Sequence, residues 1–180
     1  KGYDKHLLVK AVLDDSCLSC KHRNPPLYDE LVSEKVPEEM GEDAFISLKQ
    51  IEDKPLNERW EYFTNELSKC IRCYACRNVC PLCYCEECFV DQNMPTWLSK
   101  SDNLSDIMVY HIVRVFHMAG RCVDCGACSR ACPNGIDLRS LVQKMVKLVK
   151  ELDGFETGVT LGEAPPVTAY KQEDSQEFIK

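Results

Sequence analysis

Eight of the thirteen cysteines in this 180-residue chain stand in two copies of one pattern. These are Cys70-Ile-Arg-Cys73-Tyr-Ala-Cys76-Arg-Asn-Val-Cys80-Pro81 and Cys122-Val-Asp-Cys125-Gly-Ala-Cys128-Ser-Arg-Ala-Cys132-Pro133. Thiolates at i, i+3 and i+6 let one loop set three ligands around one face of an iron–sulfur cube. The fourth, followed by proline, opens the next element and points elsewhere. Where two such runs occur together, the fourth cysteine of each ligates the other run's cluster. The spacing thus predicts one [4Fe–4S] cluster on Cys70, Cys73, Cys76 and Cys132 and a second on Cys122, Cys125, Cys128 and Cys80. Closely spaced cysteines also bind zinc, but two full copies with proline at the same offset favour iron and sulfide.

Five cysteines remain: Cys17 and Cys20 near the start, and Cys83, Cys85 and Cys88 just after the first motif. The pairs Cys17/Cys20 and Cys85/Cys88 could close a four-thiolate third site, for zinc or a further iron–sulfur centre, with Cys83 able to replace Cys85. The gap between the pairs is longer than in a compact zinc ribbon, so buried or redox-reactive free cysteines stand as the alternative. A third site would fasten the N-terminal segment to the cluster domain.

The elements that must position these thiols read as helices. Residues 4–14 carry apolar residues at helical spacing (Leu7, Leu8, Ala11, Val12), and a polar, Pro-bearing stretch from Lys21 to about Lys54 reads as loop with short helical turns. Pro55 and Asn57 open a helix to Lys69 with Leu56, Trp60, Phe63 and Leu67 on one stripe, delivering the chain to Cys70. Ser105 or Asp106 caps a second helix over about 107–119, ended by Gly120. Asp137 caps a third, with Leu138, Leu141, Val142, Met145, Leu148, Val149 and Leu152 at helical intervals and Gly154 closing it. No strand pair is expected. From Phe155 the composition turns to Gly, Pro, Glu and Asp, which predicts a tail without a core, either disordered or an extended segment that docks on a partner through Val159, Leu161, Val167, Tyr170, Phe178 and Ile179.

Two further groups of residues attract attention. Trp60 and Phe63 either shield the first cluster from water, a lever on its potential, or are plain core. His111, Arg114, His117 and Arg121 form a positive stripe leading to Cys122. That stripe could bind an anionic cofactor or an acidic partner, donate hydrogen bonds that raise the second cluster's potential, or lie solvated.

Composition bounds the function. The hydrophobic content of 44 % is ordinary for a soluble protein, and the net charge of −7 disfavours binding nucleic acid through phosphate contacts. No apolar run approaches the roughly 18 residues that span a bilayer, so direct membrane insertion is not expected. The start of the chain lacks the order of a signal peptide, and its first residue is not Met, as in a sequence beginning within a longer product or after a processed terminus. Persistent thiols and oxygen-sensitive clusters predict a reducing, cytoplasmic setting and an anaerobic metabolism. No phosphate loop, dinucleotide fingerprint or nucleophile–base arrangement is present.

With the double motif, helical linker and helical C-terminal element, the chain resembles the α-helical ferredoxin group, which includes heterodisulfide reductase C-type subunits; residues 60–152 carry this. The run Cys80-Pro81-Leu82-Cys83-Tyr84-Cys85 is similar to iron–sulfur subunits of anaerobic sulfite reductase, sulfhydrogenase and formate dehydrogenase or hydrogenase complexes. The resemblance implies a mainly α fold: an N-terminal helix and loop extension over 1–54, a dicluster domain over 55–154, and a partner-docking tail over 155–180. It also implies an electron-transfer subunit of a hetero-oligomeric complex, working beside flavin- or metal-containing oxidoreductase subunits. No Cys-Cys-Gly motif of a disulfide-reducing catalytic subunit occurs. Two alternatives are an enzyme subunit whose additional cysteine-rich site does chemistry and an oxygen-sensing regulatory protein.

Overall fold

A computed structural model describes residues 4–38, 43–173 and 176. Among these residues seven α-helices follow in order: α1 (Asp15–Leu18), α2 (Ile46–Glu52), α3 (Leu56–Ser68), α4 (Ala75–Asn78), α5 (Leu104–His117), α6 (Ala127–Arg130) and α7 (Leu138–Asp153), with single 3-10 turns at Val9–Ala11 and Pro166–Thr168. No strand occurs among the described residues, and no helix there is long and apolar enough to cross a membrane.

The three long helices make the frame. α3 and α7 both pack on α5, while the short helices α4 and α6 pack on each other and α6 also meets α7. The inner face of α5 supplies Ile107, Tyr110, His111, Arg114 and Val115, all buried. α7 is strongly two-sided, and its Leu138, Val142 and Val149 are buried. Its start is tied to α3 through Asp137. That carboxylate caps α7 by accepting from Ser140 N (3.3 Å) and accepts from Tyr62 Oη (3.0 Å), while Asp137 N donates to Glu66 Oε2 (3.1 Å). Satisfying an orphan N–H of the first helical turn is what makes Asp a good cap. At the other end Gly154 takes the left-handed conformation at φ +65° and returns its N–H to Lys150 O, which stops the helix.

Three expectations change. Residues 4–14 form only the Val9–Ala11 turn, because Leu7, Leu8, Val9 and Val12 remain exposed and a short helix without a packed face is marginal in water. α5 starts at Leu104 after Asn103, and Asp106 is instead engaged by the hydroxyls of Ser99 and Ser101. The segment after α7 does not stand clear of the core. Phe155 is buried with Ala119 and Val149, and the chain returns across the end of α5, where Pro165 and Pro166 cover Gly120. Phe178 and Ile179 lie outside the described residues.

Candidate metal centre

Each motif leaves a helix, turns twice through the left-handed region and enters a one-turn helix. In the first, Cys70 follows α3 with its N–H bonded to Leu67 O (3.0 Å), Arg72 and Tyr74 have φ of 52° and 58°, and α4 carries Cys76. In the second, Cys122 N donates to Met118 O (3.0 Å) at the end of α5, Asp124 and Gly126 have φ of 53° and 70°, and α6 carries Cys128. The matching turns aim matching donors: Arg72 N lies 3.4 Å from Cys70 Sγ and Asp124 N lies 3.3 Å from Cys122 Sγ. Backbone N–H groups directed at sulfur are what an anionic thiolate ligand requires.

Arg72 and Asp124, each two positions after the first cysteine of its run, occupy equivalent positions with opposite charge, and each clamps its loop to a different neighbour. The Arg72 guanidinium donates to Ser99 O (2.6 Å), Ser101 O and Tyr74 Oη (3.0 Å). Asp124 receives a bidentate pair from Arg139 Nε and Nη2, both 2.8 Å, and a further bond from Gln143 Nε2 (2.9 Å), which also donates to Ala44 O (2.9 Å). A Cβ at Gly126 would stand 3.1 Å from Arg130 Nη1 and 3.3 Å from Arg139 Cδ, so those side chains would have to give way to it, whereas Tyr74 takes the equivalent left-handed turn in the first motif.

Cys70, Cys73, Cys76 and Cys132 line one cavity, closed by Tyr110 and His111. Cys80 and Cys122 pack against one apolar group formed by Val115, Met118 and Val142, and the Cys80 sulfur lies 3.7 Å from Met118 Sδ. Cys125 and Cys128 are near enough to Cys122 to oppose its ionisation. The fourth cysteine of each run is thus carried toward the other run's first cysteine. This donor set fits iron–sulfur ligation. Burial pushes the Cys122 thiol up to about 12 and raises Cys70 and Cys128. Such thiols are held as thiolates by metal, which deprotonates a coordinating thiol outright. Cys76 is buried, whereas Cys73 and Cys125 are exposed, so each thiol set has one edge at the surface.

α5 lies against both sets. His111 is 2 % exposed and its Nε2 lies 3.4 Å from Cys70 Sγ. Burial, then the nearby Arg114 cation, lower its pKa to about 4, so the ring is neutral at physiological pH. Arg114, also buried, donates from Nη2 to Cys76 O (2.9 Å). The Tyr110 hydroxyl lies 3.6 Å from Cys76 Sγ. The positive stripe is therefore not a solvated face at His111 and Arg114, and His111 reaches the first thiol set rather than the second. Tyr110 carries no ligand-spacing or charge signal in the sequence. Its spacing of three from Ile107 and four from Arg114, on the inner face of α5, was the available signal.

Trp60 does not shield the first set within this chain, because it is 63 % exposed, and Leu56 beside it is also exposed. The Cys17/Cys20 pair lies on the other motif's side. Asp14 caps α1 and pairs with Arg130 of α6 at 2.9 Å, and Cys20 lines a cavity with Cys122 and Asp124. Cys83, Cys85 and Cys88 line a separate cavity beside α4 and α5. Among the described residues no three His, Cys, Asp or Glu side chains are grouped to hold a single metal ion. Cys20 thus lines one cavity and Cys85 and Cys88 another.

The helical frame, the repeated turns and the paired thiol sets define a helical dicluster iron–sulfur protein of the electron-transfer class. Residues 66–136 match the 4Fe-4S dicluster domain family. The chain is 34 % identical over 128 residues to the F420-dependent formate dehydrogenase 1 subunit beta of Methanococcus maripaludis, covering 71 % of this chain and 31 % of that protein. It is 30 % identical over 109 residues to the F420-dependent formate dehydrogenase subunit beta of Methanocaldococcus jannaschii, covering 60 % of this chain and 27 % of that protein. The chain thus spans less than a third of the length of these relatives.

Proposed function

We propose that this chain is the electron-relay module of a hetero-oligomeric oxidoreductase, passing single electrons to or from a flavin- or metal-containing catalytic subunit in a reducing, cytoplasmic setting. Cys70, Cys73, Cys76 and Cys132 hold one [4Fe–4S] cluster, and Cys122, Cys125, Cys128 and Cys80 hold the other. The observation that carries this reading is the single cavity shared by three cysteines of the first motif and the last cysteine of the second. The names of the similar proteins direct it toward an assembly of the formate dehydrogenase kind.

When bound, the clusters supply one-electron carriers whose potentials depend on hydrogen bonding and solvation at sulfur. The chain's own residues set both. Arg72 N and Asp124 N donate toward the first thiolate of each loop, His111 presents a neutral ring to Cys70, and the buried Tyr110 excludes water from Cys76. Electron entry and exit take place at the two exposed edges. At each edge the residue after the first cysteine is apolar and open, Ile71 at 64 % and Val123 at 49 % exposure. The outer face of α5 adds Val109, Ile112 and Phe116, exposed at helical spacing, as a surface for a partner subunit.

Iron, zinc and acid-labile sulfide measured per chain on anaerobically purified protein, with EPR after dithionite reduction, test this reading. At least about eight iron and eight sulfide with interacting reduced-cluster signals are expected for two cubes. About one or two zinc with no labile sulfide would overturn it.

A further inference from the structure

The three cysteines that follow the first motif come together without Cys17 and Cys20. Cys83, Cys85 and Cys88 line one cavity whose other wall is Arg114 and His117 of α5 and Arg121 just beyond it, with Arg77 of α4 at its side. Of these cations, Arg114 also donates to Cys76 O (2.9 Å) and Arg77 to Asp91 Oδ2 (2.7 Å). Arg114 is 4 % exposed, and its Nε, like that of Arg121, has no hydrogen-bond partner among the described residues. Those two Nε groups are open to a further acceptor, and along this cavity Arg77, Arg114 and Arg121 outnumber the carboxylates Glu86 and Asp91.

The thiol arrangement indicates which anion. No three metal-binding side chains among the described residues are close enough for one ion. That holds equally for the thiols of the two motifs, since the ligands of a cube attach to different irons and stand farther apart than those of a single zinc. Three thiolates around a cubane core leave a net negative charge, which matches the guanidinium wall. The cavity also adjoins the other two sites. Tyr110 lines both it and the cavity of Cys70, Cys73, Cys76 and Cys132, while Cys83 packs against the same apolar group as Cys80 and Cys122.

We propose that Cys83, Cys85 and Cys88 ligate a third [4Fe–4S] cluster, with one iron free of protein thiolate and facing Arg114 and Arg121. That iron takes water or a small anion, and Cys17 and Cys20 have no part in the site.

The test is iron and labile sulfide per full chain after anaerobic reconstitution with iron and sulfide, for the parent, Cys85→Ser, Cys88→Ser and the double variant Cys17→Ser/Cys20→Ser. EPR of the two motif clusters reports that each variant is folded. Cys85 is exposed, so its replacement leaves folding intact even if that of Cys88 does not. About twelve iron are expected in the parent and in the Cys17/Cys20 variant, falling to about eight in Cys85→Ser and Cys88→Ser, at four iron per cube. About eight iron in every folded protein would overturn the proposal, as would stoichiometric zinc lost from Cys88→Ser. Iron near zero in the parent would instead overturn the dicluster relay itself, so the two failures are distinct.

Discussion

The imidazole of His111 stands with Nε2 3.4 Å from Cys70 Sγ, although the two residues are 41 positions apart. The ring is buried and neutral, so it can donate one N–H to the thiolate without adding a charge. A donated hydrogen bond stabilises the more negative, reduced state. Replacing His111 by Leu should lower the potential of the first cluster by about 40 mV, the one-electron equivalent of a net hydrogen bond of about 1 kcal/mol. The second cluster should stay where it is. EPR-monitored redox titration of both clusters checks this; equal shifts in the two would show a general change in packing rather than loss of the donor.

Arg114 joins the halves of the domain differently, since its buried guanidinium donates to the carbonyl of Cys76. Arg114→Met keeps much of the stem's packing but leaves that carbonyl without its donor. A loss of about 1–3 kcal/mol is expected, seen as a lower midpoint in anaerobic denaturant unfolding with an unchanged slope.

The loop clamps should be separable. Arg139→Ala removes both guanidinium bonds to Asp124, a half-buried bidentate pair. The loss should be about 1–3 kcal/mol and should fall on the second motif. Arg72→Ala frees the first loop from Ser99 and Ser101 in the same way. Timed iron release to a chelator, resolved by EPR, should show the second cluster leaving first from Arg139→Ala and the first cluster leaving first from Arg72→Ala.

Two glycines with the same φ of +65° should respond unequally to alanine. At Gly154 an added Cβ meets nothing within 4 Å, so Gly154→Ala carries only the left-handed penalty of about 1 kcal/mol. At Gly120 the Cβ would stand 3.0 Å from Pro166 Cδ and 3.1 Å from Pro165 Cβ. Gly120→Ala should therefore also lift the returning tail. Limited proteolysis should cut near 160–170 faster in Gly120→Ala than in Gly154→Ala.

Much of the frame was legible. α3 spans Leu56–Ser68 against an expectation of Pro55 to Lys69, and α7 runs from its Asp137 cap to Gly154 as its apolar intervals predict. These helices carry their own boundary signals. Residues 4–14 and Phe155 depart from expectation for a shared reason. Apolar residues at helical spacing form a helix only where a surface receives them, and Phe155 becomes core only because Ala119 and Val149 stand across from it. The stripe His111, Arg114, His117 and Arg121 was legible as a stripe, but charge alone could not tell a solvated face from a buried one.

The sequence by itself determined the ligand chemistry, because thiolates at i, i+3 and i+6 with a prolyl stop are a local geometric instruction that one loop can execute. It determined the helical class for the same reason, through caps and periodicity within single segments. Only the tertiary structure decided which neighbours the thiols acquire. The approach of His111 to Cys70, the Asp124–Arg139 clamp and the separation of Cys17 and Cys20 from Cys83, Cys85 and Cys88 all depend on how α5 and α7 are rotated as they pack. Rotation is set by the summed burial of whole helix faces, a property of the assembled core that no single segment contains.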